Sequence, residues 1–122
     1  MTLSWEELIV DCRDFSALSK WWAVALGWNV VDEDEDGVEL QNPDGSKPTL
    51  LFLNVPEAKT VKNRLHLDFV PDDQTAEVER LIALGATRLD IGQGERSWVV
   101  LADPEGNEFC VLSARPSGVE AD

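Results

Sequence analysis

Apolar and polar positions alternate strictly from Arg64 to Val70. Leu65, Leu67 and Phe69 fall on one side of an extended segment, and His66, Asp68 and Val70 on the other. The chain's single histidine therefore shares a strand face with a carboxylate. Elsewhere the pattern changes period. Glu6 to Asp11 reads as a strand. Phe15, Leu18, Trp22, Ala25 and Leu26 recur at helical spacing behind an N-cap at Asp14, and Gly27 ends that helix. Strands follow over Trp28–Val31, Val38–Gln41 and Thr49–Val55. The acidic run Asp32–Asp36 is expected at a solvated hairpin tip, and Asn42-Pro43-Asp44-Gly45 at a turn. Pro56 to Asn63 is a connector.

Past the histidine strand the order repeats. Asp72 or Asp73 caps a helix carrying Val78, Leu81 and Ile82 that ends at Leu84-Gly85. Strands are predicted over Ala86–Asp90, Arg96–Ala102 and Asn107–Ser113. Ile91–Glu95 reads as a loop, Asp103-Pro104-Glu105-Gly106 as a turn, and 115–122 as a frayed tail. Leu26-Gly27 and Leu84-Gly85 lie 58 positions apart, and the two Pro-containing turns 61 apart. Each half thus reads strand, helix, strand, strand, strand. Neither copy can bury both faces of its elements alone, so the copies are expected to pack together. The boundaries predicted are a first module at about 4–56, a connector at 57–63 and a second module at about 64–114, all within one domain spanning 1–122.

Composition narrows the chemistry. At 122 residues and 43% hydrophobic, with five Trp and four Phe, the chain can fill a core and still wall an apolar pocket. A net charge of −14 argues against nucleic acid and against anionic membranes. No signal peptide or membrane-spanning run is visible. Cys12 and Cys110 sit in apolar strands, which fits reduced thiols and a cytoplasmic protein better than a disulfide framework. Lys59, Lys62 and Arg64 make the connector the one locally basic stretch. They either balance neighbouring acids or face an anionic ligand near a pocket mouth.

A βαβββ unit repeated within about 120 residues, with Asp-Pro-x-Gly before the last strand, resembles the vicinal oxygen chelate superfamily, and most closely its glyoxalase-like and bleomycin-resistance-like domains. The residues that carry the resemblance are Val10-Asp11-Cys12-Arg13-Asp14, Trp21-Trp22 through Trp28, Lys62 through Asp68, Leu84 through Thr87, and Trp98 through Phe109. The resemblance implies an α+β fold of two tandem βαβββ modules, with curled mixed sheets and helices on the outer face. Leu65, Leu67 and Phe69 would pack beneath a helix, with His66 and Asp68 facing the cup. It also implies a homodimer.

Metal-using members of such a family carry ligands on the first and last strands of each module. In this sequence His66 matches one such position. Cys110 stands where a Glu is usual, with Glu108 one pair earlier. The first strand of the first module offers Leu8, or Glu7 after a one-residue slip, and its last strand offers only Leu50 to Leu53. A divalent metal held by His66, Glu7 and Cys110 is chemically conceivable, but with two usual donor positions altered no cofactor is favoured. His66 is then either a neutral imidazole bonded to Asp68 or to backbone, or half of an acid–base pair with Asp68. Cys110 reads as a small buried hydrophobe. Trp22 belongs to a core, while Trp5, Trp21 and Trp28 serve a core or a dimer interface. Trp98, Phe52, Cys110 and Glu7 are the expected lining of a ligand pocket. The favoured reading is a metal-free small-molecule-binding protein. The alternatives are a metal-dependent lyase, isomerase or dioxygenase using His66, and a cofactor-free enzyme using His66 and Asp68.

Overall fold

The computed structural model describes residues 2–89 and 97–114. The chain divides into two compact units, Met1–Lys59 and Thr60–Asp122. Each has the βαβββ order, and together they make an α+β fold with two open four-stranded mixed sheets.

The first unit contains β1 (Glu7–Cys12), α1 (Phe15–Leu26), β2 (Asn29–Glu33), β3 (Gly37–Gln41) and β4 (Thr49–Asn54). The sheet order is β1-β4-β3-β2, with β1 parallel to β4 and the other pairs antiparallel. A parallel pair needs a crossover connection, and α1 lies on that crossover. The helix starts where Asp14 Oδ1 accepts the Ala17 amide at 3.0 Å, and stops at Gly27, whose φ of 68° suits a residue without a side chain. Leu18, Trp22 and Ala25 are its buried stripe. Val38, Leu40, Leu50 and Phe52 are the buried positions of the sheet. Strand pairing aligns Val38 with Phe52 and Leu40 with Leu50, so these four share one face.

In the second unit β5 (Leu67–Phe69), α2 (Gln74–Leu84), β6 (Thr87–Leu89), β7 (Val99–Ala102) and β8 (Glu108–Val111) form a sheet of order β5-β8-β7-β6. Asp73 is the helix cap, its Oδ1 accepting from the Ala76 amide. Val78 and Leu81 of α2 are buried, as are Phe109 and Val111 of β8. Phe69 meets Phe109 edge to face at 6.0 Å. Buried Asp103 organises the turn before β8. Its Oδ1 accepts the Glu105 and Asn107 amides at 2.9 and 3.0 Å.

The repeat expected from the sequence is present, and its register is tighter than the turn spacing suggests. Glu7 pairs with Thr49 and Leu8 with Leu50; 59 positions later, Leu67 pairs with Phe109. The caps Asp14 and Asp73 are also 59 apart.

Several expectations change. The histidine strand is only three residues long, and Leu65, expected beneath a helix, is 81% exposed. It precedes the first β5–β8 pair, so nothing holds it to the alternation of the strand. The strand β2 runs on into the acidic segment to Glu33, with a register shift between Val30 and Asp32. The turn itself is Asp34–Asp36, where Asp34 Oδ1 accepts the Asp36 and Gly37 amides. Trp5 is 65% exposed and is not a core residue. The strand before the last turn starts at Val99, and Arg96, where it was expected to begin, lies outside the described residues. The predicted 91–95 loop and the 115–122 tail lie outside the described residues.

Candidate functional site

The second sheet gathers the polar residues. In the parallel β5–β8 pair Asp68 stands opposite Cys110, and in the antiparallel β8–β7 pair Cys110 stands opposite Val100. Directly paired residues share a face, so Asp68, Cys110 and Val100 form one row across the sheet, continued on β6 by Leu89. His66 lies two residues before Asp68, at the same parity. A nitrogen of His66, an oxygen of Asp68 and the Cys110 sulfur lie within 4.8 Å of one another. His66 and Asp68 are exposed, whereas Cys110 is 4% exposed.

The connector closes over this end of the row. Glu108, two residues before Cys110 and only 7% exposed, accepts the backbone N–H of Asn63 at 3.0 Å. That bond ties the connector to β8 and sets the residue beside it. Lys62 Nζ reaches His66 Nε2 at 3.0 Å. An ammonium carries only donors, so the contact is a hydrogen bond when Nε2 holds a lone pair and the ring proton sits on Nδ1. The partner of the imidazole is thus Lys62, rather than the Asp68 carboxylate or backbone group that the sequence suggested. The sequence marked Lys62 only as one of three nearby basic residues. A four-residue separation outside a helix gives no pairing signal.

The thiol is held neutral. Burial pushes the Cys110 pKa up to about 11, and the Asp68 charge and its hydrogen bond with the thiol add to the rise, while the Lys62 charge opposes it. The S–H is the donor and the Asp68 carboxylate the acceptor.

Imidazole, carboxylate and thiol are a reasonable donor set for a transition metal, and their separation is short enough. As folded, Lys62 Nζ lies against His66 Nε2 and the Cys110 thiol is bonded to Asp68, so a metal bound by the trio would displace both the lysine and the thiol proton.

The other expected site residues are placed as follows. Trp98 is half-buried, one residue before β7 and at the parity of Val100. Glu7 is half-buried at the start of β1, opposite Thr49, in the first unit. Its place in that unit is the place of His66 in the second, 59 positions on. Phe52 does not have the pocket-wall position expected for it. It is 0% exposed and pairs with buried Val38, on the sheet face opposite that of Glu7. The first-unit residue at the Cys110 position is Leu51, half-buried, again 59 positions earlier. One residue of register moves a side chain through the sheet, and strand position alone does not separate Phe52 from Leu51.

No curated protein matches this sequence. Solved structures do resemble the fold. An oxidase, ChaP-H2, superposes with a TM-score of 0.68 at 23% identity over 99% of this chain and 100% of its own. A glyoxalase/bleomycin resistance protein/dioxygenase family enzyme from Burkholderia phytofirmans PsJN gives a TM-score of 0.70 at 21% identity, covering 90% and 98%. The fosfomycin resistance protein FosX from Mesorhizobium loti gives 0.68 at 15% identity, covering 92% of each chain. At these identities the likeness speaks for the fold alone. The model of the glyoxalase-like domain matches residues 7–112, from the first residue of β1 to the residue after β8. With both βαβββ units inside that match, the chain belongs to the glyoxalase-like domain family, within the vicinal oxygen chelate superfamily.

Proposed function

We propose that this protein binds a small organic molecule on the second sheet without using a metal, with His66, Asp68 and Cys110 as the polar anchor and half-buried Trp98 as apolar wall. The observation that carries this reading is that the three side chains already have partners within the fold. Lys62 donates to His66 Nε2, and the Cys110 thiol, with its pKa near 11, donates to Asp68. Such a network offers a ligand one carboxylate acceptor and several N–H donors beside an apolar strand. A second reading, a metal-dependent lyase, isomerase or dioxygenase with His66 as ligand, is favoured by the mutual approach of the three donor atoms.

Metal analysis of protein never exposed to a chelator or an affinity column separates the two. The expected result is no stoichiometric zinc, nickel, iron or manganese, together with saturable binding of the uncharged dye Nile red. One metal equivalent per chain, lost in His66→Ala, would overturn the metal-free reading.

The same reading includes a homodimer and a cytoplasmic location. Exposed Leu3, Trp5, Val61 and Leu65 supply apolar surface for pairing of copies. Neither cysteine is in a disulfide and both are buried, as a reducing compartment allows. No helix among the described residues is long and apolar enough to cross a membrane.

A further inference from the structure

The polar end of the second sheet is covered rather than open. Glu108 and Cys110 share a face of β8 and are 7% and 4% exposed. His66 and Asp68 are exposed, yet their donor atoms lie within 4.8 Å of the Cys110 sulfur. The thiol is therefore only about one side-chain layer from solvent. Part of that layer comes from the segment 60–66, which precedes β5 and carries His66, with Lys62 Nζ 3.0 Å from its Nε2.

This segment has little apolar contact to keep it in place. It contains no helix or strand, and none of its residues is buried. Its large apolar side chains, Val61 and Leu65, are 75% and 81% exposed. Segments with exposed backbone and few buried apolar groups open at low cost, while the sheet beneath them stays folded. Its tie to the sheet is polar. The half-buried Asn63 donates its backbone N–H to Glu108 Oε1 at 3.0 Å, across 45 positions. A bond to a buried carboxylate is stronger than one in water, and breaking it is tolerated only where water reaches the acceptor. Lifting the segment meets that condition. The pair thus acts as a latch with a closed and an open state.

We propose that 60–66 is a strap latched over the start of β8 by the Asn63–Glu108 bond, and that its lifting, with the sheet intact, opens the way to Glu108 and Cys110 for a small molecule. Its purpose rests on the small-molecule-binding reading, whereas the movement itself is measured without a ligand.

The buried thiol reports the movement. The full chain at pH 8 is treated with iodoacetamide, and the label on Cys110 is followed by peptide mass in increasing urea below the unfolding transition. The labelling rate should be nearly independent of urea, because lifting so short a segment exposes little surface. A rate that climbs with urea as unfolding does would overturn the strap. Asn63→Pro deletes the N–H donor and Glu108→Ala the acceptor. Each should speed labelling roughly tenfold, as for loss of one hydrogen bond to a buried group. An unchanged rate in both would sink the latch. Should neither variant fold, the urea dependence of the native chain still decides. Nile red supplies the separate arm, and its association should quicken in Asn63→Pro. If labelling behaves as expected and the dye does not bind, the strap stands and small-molecule binding fails. If the dye binds and Cys110 is reached only by unfolding, the strap fails and binding stands. Dye association that is no faster in Asn63→Pro would overturn the strap as the way in.

Discussion

Cys110 shows how burial decides the chemistry of one residue. A thiol on a solvent-facing strand end would ionise near its ordinary 9.0, whereas this one waits until about 11 because burial and the Asp68 carboxylate both penalise the thiolate. The consequence for stability has a definite sign. Below pH 9 both folded and unfolded thiols are protonated and the contribution is intact. Between 9 and 11 the unfolded thiol releases its proton while the folded one retains it, so stability falls as pH rises. The slope from this group is at most about 1.4 kcal/mol per pH unit. Urea unfolding across that window should give a steeper alkaline loss for the native chain than for Cys110→Ala. Equal slopes would mean that the thiol is not held protonated by the fold. At neutral pH the same effect makes Cys110 a slow nucleophile.

At the level of elements, the two sheets are built by the same device. A side-chain carboxylate caps each helix, a glycine ends it, and the crossover lets the first strand run parallel to the last. Sequence pattern foretold nearly all of this, because caps, turn residues and helical stripes are local signals. Gly37 was legible only as the residue closing an acidic turn. In the sheet it opens β3 with a second constraint. A Cβ there would lie 2.6 Å from the Phe52 carbonyl oxygen and 2.7 Å from Leu53 Cδ2, and the first of these is backbone that cannot swing aside. Gly37→Ala should therefore cost roughly 1–3 kcal/mol by overpacking, seen as a lower urea midpoint with little change in slope. An unchanged midpoint would show that β3 can shift against β4.

For the whole chain, the doubled βαβββ order and the family match agree, while the two units differ in what their equivalent positions carry. Where the second unit has His66, Glu108 and Cys110, the first has Glu7, Thr49 and Leu51. The polar cluster described above thus belongs to one copy of the repeat. Pairing of whole chains is the remaining expectation at this scale. Light scattering should report twice the 13.5 kDa chain mass, and a clean monomer would remove the homodimer from the reading.

The amino-acid sequence by itself determined the repeat, the helix limits, the two Pro-containing turns and the parity that puts His66 beside Asp68. All of these rest on interactions within a few residues or on a comparison of the chain with itself. Only tertiary structure decided which partners those residues meet. Strand register placed Cys110 against Asp68 and sent Phe52 to the buried face in place of Leu51. The short β5 released Leu65 to solvent. A hydrogen bond across 45 positions, from Asn63 to Glu108, brought Lys62 onto the imidazole. Register and long-range anchoring depend on how strands pair across the sheet, and a one-residue shift reverses their outcome without altering any local pattern.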